Sequence, residues 1–135
     1  NRIVELGLTE IFFREDLAFL AYSPLGFGHL TGKYLKDPKS LGRANLFPGY
    51  AKRYDKPGVN RAIKSYLNLA EDLNLSLTEL ALSFVYSQWF VKSTIIGATT
   101  MEQLKQNISA YKTKLPEDII NQIDQIHLEV MNPAP

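Results

Sequence analysis

Apolar positions along the chain recur at two different spacings, and the alternation between them predicts the order of elements. Ile3, Leu6, Leu8, Ile11 and Phe12 stand at near-helical intervals, so residues 3–14 are expected to form a helix that Asp16 closes. Leu17 to Tyr22 is instead a short unbroken apolar run stopped by Ser23 and Pro24, the pattern of a strand covered on both faces and hence of a parallel sheet. From Gly26 to Gly58 the periodicity dissolves into six glycines, Pro38, Pro48, Pro57 and scattered charge. Structured loops this long are usually functional. Asn60 can then cap a helix to about Leu73, with Ala62, Tyr66, Leu67 and Ala70 on one face. Ser76-Leu77-Thr78-Glu79 has the form of a capping box and opens a further helix to residue 88, with Leu80, Ala81, Phe84 and Val85 as its inward stripe. Ser93 to Ile96 predicts a second buried strand, ended by Gly97. Thr100 to Gln103 repeats the capping pattern and opens a helix to Tyr111, with Leu104 and Ile108 inward. Pro116 suits the first turn of a last helix whose stripe is Ile119, Ile123, Ile126 and Val130, followed by a tail from Asn132.

Strands alternating with helices indicate the α/β class with a parallel sheet. Two parallel strands leave both edges open and cannot cover the helices packed on them, so the chain is expected to be part of a larger fold. The opening Asn1-Arg2-Ile3-Val4 lacks a Met and enters an apolar pattern at once, which fits the expectation of a cut.

Composition narrows the function classes. At 135 residues and 45% hydrophobic content the chain can bury a real core. Fifteen basic against fourteen acidic residues leave a formal charge of +1, so neither nucleic acid nor an anionic membrane is favoured by bulk electrostatics, and any anion site must be local. The absence of cysteine excludes disulfides and thiolate metal sites and makes the cytoplasm the default expectation. His29 and His127 stand far apart without ligand spacing, so no metal site is expected; both read as structural residues. No apolar run approaches the roughly 20 residues that span a bilayer, so a soluble protein is expected.

Two stretches are more specific than these patterns. Residues 21–34, Ala-Tyr-Ser-Pro-Leu-Gly-Phe-Gly-His-Leu-Thr-Gly-Lys-Tyr, and residues 97–107, Gly-Ala-Thr-Thr-Met-Glu-Gln-Leu-Lys-Gln-Asn, together resemble the seventh and eighth strand ends of aldo-keto reductases. The nearest resemblance is to the long-loop bacterial branch around the Tas-type reductases and the potassium-channel beta subunits. Asn1-Arg2 with Glu5 resembles the segment after that family's sixth strand. The resemblance spans essentially the whole chain in the family's order, and implies the C-terminal part of a (β/α)8 TIM barrel, residues 1–135 forming its cofactor-binding portion.

In such a barrel the active site lies at the C-terminal ends of the strands, and phosphate often binds at the loops after strands seven and eight. Glycine without a Cβ lets backbone amides approach a pyrophosphate, Lys33 offers a point charge, and Arg43 offers a planar fork. The resemblance accordingly assigns Ser23, Pro24, Leu25, Gly26, Lys33 and Arg43 to a loop over the pyrophosphate of NADP(H), and Tyr22 to stacking on the nicotinamide. At the second motif a glycine leads into a helix N-terminus, where free amides favour an anion. There the resemblance implies Gly97, Thr99 and Gln103 for the adenosine 2′-phosphate and ribose, with Gln106 and Asn107 at the adenine edge. Many relatives carry Arg where Gln103 stands, so NAD(H) is not excluded.

The family's catalytic Tyr and its Lys, Asp and His partners come from strands before the sixth, which this chain lacks. No catalytic residue is therefore assigned, and Tyr34, Tyr50 and Tyr54 are not substitutes. The resemblance implies a part of an oxidoreductase acting on aldehydes or ketones, inactive alone, with the carbonyl substrate bound only by the complete protein. The alternative is a non-catalytic, nicotinamide-sensing subunit that acts through a partner surface. The open strand edges suggest association into a homo-oligomer.

Overall fold

The computed structural model describes residues 1–47, 49 and 51–134; Pro48 and Tyr50, named above, and Pro135 at the end of the tail lie outside them. The first expected helix is broken in two by Gly7, whose φ of 156° no helix accommodates: a 3-10 turn spans Ile3–Leu6 and helix α1 spans Leu8–Arg14. Asp16, with a left-handed φ of 49°, ends α1, and the Leu17 amide donates back to the Phe12 carbonyl at 2.9 Å, the wrap-around closure of a helix C-terminus.

Strand β1 is Phe19–Tyr22 and strand β2 is Val91–Ile95, each displaced from its expected start. They form one two-stranded parallel sheet in which Leu20 faces Ser93, Ala21 faces Thr94 and Tyr22 faces Ile95; the register slips between Phe19 and Leu20. The expectation that β1 is covered on both faces is not met within this chain. Phe19 and Ala21 are half-buried, whereas Leu20 and Tyr22 on the other face are exposed. Side chains alternate across a strand, so a sheet with helices on one side covers only every second residue.

The region between the strands holds more regular structure than its composition suggests. A 3-10 segment covers Gly26–Thr31, helix α2 Lys33–Lys36, helix α3 Arg43–Leu46 and a 3-10 turn Lys52–Tyr54. Helix α4, Pro57–Asp72, begins before the expected cap at Asn60, because Pro57 occupies the first helical position, where a missing N–H costs nothing. Asn74, at φ 54°, terminates it.

Helix α5, Leu77–Ser87, carries the expected capping box: the Glu79 amide donates to Ser76 Oγ at 3.2 Å and the Ser76 amide to Glu79 Oε2 at 3.1 Å. Such caps contribute about 1 kcal/mol. Leu77, Leu80, Leu82 and Ser83 are all buried, so α5 is wedged on more sides than a single stripe implies. On one side Leu77 and Leu80 join Val59, Ile63, Leu69 and Ala70 of α4 and Ile119 and Ile123 of helix α7, Glu117–Glu129, in the main core. On another side Ser83 Oγ donates to the Ala110 carbonyl at 2.9 Å, and Tyr86 Oη to the Asn107 carbonyl at 3.1 Å, fastening α5 to helix α6, Met101–Ser109, and the turn after it. Arg2 ties the N-terminal turn to α7, bonding Glu5 and Asp124 at 2.6 Å each. No helix among the described residues is long and apolar enough to cross a membrane.

Candidate functional site

Parallel pairing with Tyr22 opposite Ile95 makes both strands end at the same edge of the sheet, so the loop after β1 and the segment leading into α6 leave side by side. The loop turns through four left-handed positions: Ser23 at φ 51°, Gly26 at 51°, Phe27 at 58° and Gly28 at 89°. Ser23 and Phe27 hold this conformation against a cost of about 1–2 kcal/mol each. The expected row of backbone donors is partly spent inside these turns, since the Gly26 amide donates to the Ser23 carbonyl and the Gly28 amide to the Leu25 carbonyl, both at 2.9 Å. The Leu25 amide has no partner among the described residues. Tyr22 and Ser23 are exposed at the strand end; Pro24 and Leu25 are half-buried.

Lys33 and Arg43, ten positions apart, are brought together by Gly42. The ends of the Tyr34 and Lys33 side chains lie where a Cβ on Gly42 would be, so the chain at this glycine passes directly under the lysine. Lys33 Nζ donates to the Leu41 carbonyl at 3.0 Å, which sets the ammonium beside the start of α3. The Arg43 guanidinium lies 5.6 Å from the Phe27 ring centre, and Arg53, which sequence reasoning missed, lies 4.5 Å from the same ring. None of these three cations forms an ion pair among the described residues. Nothing in the sequence pattern singles out Arg53, because its place over Phe27 is made by the fold of the loop.

His29 stacks on Tyr54 at 4.9 Å and its Nε2 is buried without a partner among the described residues. Burial, and then the charge of Lys33, hold its pKa below the usual histidine value, so the ring is a neutral wall of the loop. Burial likewise raises Tyr54. Tyr22, Ser23, Pro24, His29, Arg53 and Tyr54 share a cavity of about 490 Å³ that runs down to α5. The α6 residues do not line it.

At the end of β2, Gly97 stands in open space, with nothing within 4 Å of where a Cβ would be. Thr100 caps α6 by accepting from the Gln103 amide at 3.2 Å, but the expected reciprocal half of the box goes elsewhere: Gln103 Oε1 accepts from the Thr99 amide at 2.8 Å and from Thr99 Oγ1 at 3.0 Å. The two residues placed together at the adenine edge part company in their bonding. Asn107 is buried and its Nδ2 donates to the Gly97 carbonyl at 3.1 Å, while Gln106 Nε2 donates to Ser76 Oγ at 2.9 Å. The segment Gly97–Thr99 is thus anchored by Asn107 from below and Gln103 from the side. Chemically, the segment after β1 carries three cations that form no ion pair among the described residues, and the segment after β2 carries exposed hydroxyls and a helix N-terminus, groups that suit a ligand with more than one anionic group.

Residues 1–128 match the family model described as the aldo/keto reductase family. The chain belongs to the aldo/keto reductase family. It is 42% identical over 135 residues to the Protein tas of Escherichia coli strain K12 and, equally, to that of Shigella flexneri, matching all of this chain and 39% of each relative. An aldo-keto reductase of Babesia bovis is 39% identical over 137 aligned positions, matching 96% of this chain and 48% of the relative. The chain therefore spans less than half the length of these aldo/keto reductase relatives, and the match takes in both strand ends described above. Its mixed helix and parallel-strand content fits the α/β fold of the family.

Proposed function

We propose that the chain is the cofactor-holding part of an aldo/keto reductase that moves hydride between NADP(H) and an aldehyde or ketone, with β1 and β2 as the seventh and eighth strands of a (β/α)8 barrel. The observation that supports this reading is the parallel register of β1 and β2, from whose common end the segment that continues to Lys33 and Arg43 and the segment that enters α6 both depart. The cations of that loop, which form no ion pair among the described residues, fit a pyrophosphate, and the exposed Tyr22 ring at the strand end fits a flat partner such as nicotinamide. The cofactor supplies the hydride when bound. The chain's own residues hold it: Ser23, Leu25, Lys33 and Arg43 at the pyrophosphate, and Gly97, Thr99 and Gln103 at the adenosine 2′-phosphate and ribose. Gln103 brings no charge to that phosphate, so NAD(H) is accepted as well.

A general acid for the carbonyl oxygen belongs to the strands before the sixth, so residues 1–135 alone are inactive. Charge-assisted bonds contribute about 1.5–3 kcal/mol each, or roughly 10- to 150-fold in affinity. Lys33→Ala and Arg43→Ala should each weaken NADPH binding to the chain by at least the lower figure. Unchanged affinity in both variants refutes the assignment.

A further inference from the structure

Phe27 places a bulky ring where the backbone favours glycine. Its φ is 58°, between Gly26 and Gly28, and a large side chain stays in this region only where its surroundings hold it there. Those surroundings are cationic and aromatic. The Arg53 guanidinium lies 4.5 Å from the Phe27 ring centre, the Arg43 guanidinium 5.6 Å and the Tyr54 ring 5.3 Å. Tyr54 also lies 5.3 Å from the Arg53 guanidinium and closes on Gly26, where a Cβ would stand 3.4 Å from its Cε1. Arg43 opens α3 and Arg53 belongs to the 3-10 turn before α4, so one ring gathers guanidinium groups from two elements. Neither forms an ion pair among the described residues, and Arg53 lines the same cavity as Ser23 and Gly26. Like charges drawn to one ring repel each other, and an anion bound by both offsets that repulsion.

We infer that Phe27 is a positioning residue that gathers Arg43 and Arg53 into a two-guanidinium clamp for a diphosphate, which makes Arg53 a further binding residue of the site. The inference rests on the proposed placement of the cofactor's pyrophosphate on the segment after β1. The electron-rich face of a phenyl ring attracts a guanidinium, and the guanidinium keeps N–H donors for phosphate oxygens. An arginine held in place before the ligand arrives loses less freedom on binding, an advantage of about two- to tenfold in affinity for each side chain held. A glycine at position 27 would relieve the backbone and hold neither arginine.

The 135-residue chain is titrated calorimetrically with NADPH and with inorganic pyrophosphate, unsubstituted and with trifluorophenylalanine in place of Phe27. Fluorine on the ring rim nearly keeps the shape of the side chain and drains the face that attracts the cations. Both affinities should fall by about two- to tenfold in the fluorinated chain. Phe27→Leu, apolar but without a ring, should lose at least as much, while Phe27→Tyr retains the affinity of the unsubstituted chain. Arg53→Gln should weaken both ligands by about tenfold or more, the lower value for a charge-assisted bond. A fluorinated chain that binds both ligands as tightly as the unsubstituted one overturns the positioning role, because a ring that only fills space is indifferent to the charge on its face. Unchanged affinity in Arg53→Gln overturns the two-arginine clamp. Either result leaves the cofactor reading standing as long as Lys33→Ala still weakens NADPH. Binding of neither NADPH nor pyrophosphate to the unsubstituted chain overturns that reading and the inference with it.

Discussion

Replacing Asn107 by Asp changes almost nothing in shape and reverses the sense of one buried contact. Asn107 is 2% exposed and its Nδ2 donates to the Gly97 carbonyl at 3.1 Å. Truncation in Asn107→Ala removes a bond of about 1 kcal/mol, and the exposed Gly97 can recover water. Asn107→Asp instead sets a carboxylate oxygen against the carbonyl oxygen, and among the described residues the side chain's only hydrogen bond is the one it donates to Gly97. The acid must then be buried ionised or take up a proton, so its folded pKa rises above the unfolded value of about 3.9. With each pKa unit worth about 1.4 kcal/mol, a rise of two units gives a loss of about 3 kcal/mol at pH 7. The sign follows from linkage: the folded variant binds more protons than the unfolded chain, so its deficit shrinks as pH falls through the raised pKa, where a protonated carboxyl donates to Gly97. Urea unfolding of the unsubstituted chain, Asn107→Ala and Asn107→Asp at pH 7 and pH 5 reads this directly. The Asp variant should be the least stable at pH 7 and recover relative to the Ala variant at pH 5. An Asp variant as stable as the unsubstituted chain at pH 7, or a deficit identical at both pH values, refutes the reasoning.

Leu80, at 1% exposure within the α4, α5 and α7 core, should cost about 2–5 kcal/mol as Leu80→Ala, seen as a lowered urea midpoint; a loss under 1 kcal/mol would mean that this core is loosely packed. The pKa of His29 is lowered by burial and then by Lys33, and that of His127 by burial and then by Arg2. The unfolded chain therefore binds more protons, and this part of the stability is complete above about pH 6.5 and is lost as pH falls through the folded values. His29→Phe, which keeps the stack on Tyr54, should flatten the fall in urea midpoint between pH 7 and pH 5; an unchanged slope counts against a buried neutral ring.

Features set by neighbours in sequence were legible from the chain alone. The Ser76–Glu79 box is a matter of two residues three apart, and it forms as its spacing indicates. Asn60 failed as a cap because Pro57, also visible, begins the helix earlier. The α6 box formed only by half because Thr99, just outside it, competes for Gln103. What depends on distant chain was not legible. The coverage of β1 depends on what lies over Leu20 and Tyr22, and the meeting of Arg43 and Arg53 at Phe27 depends on how the loop folds. Asn107 shows both sides: resemblance marked it for the adenine edge, while its burial and its bond to the Gly97 carbonyl follow from α6 packing against α5.

In the proposed arrangement two segments some seventy residues apart form one dinucleotide clamp at the common end of β1 and β2. The most direct test is a titration of the ¹⁵N-labelled chain with NADPH, following backbone amides. Ser23, Leu25, Lys33 and Arg43 should shift together with Gly97, Thr99 and Gln103 along one saturable curve, leaving α7 unmoved. Shifts confined to one segment, or two segments saturating at different concentrations, would contradict a single clamp.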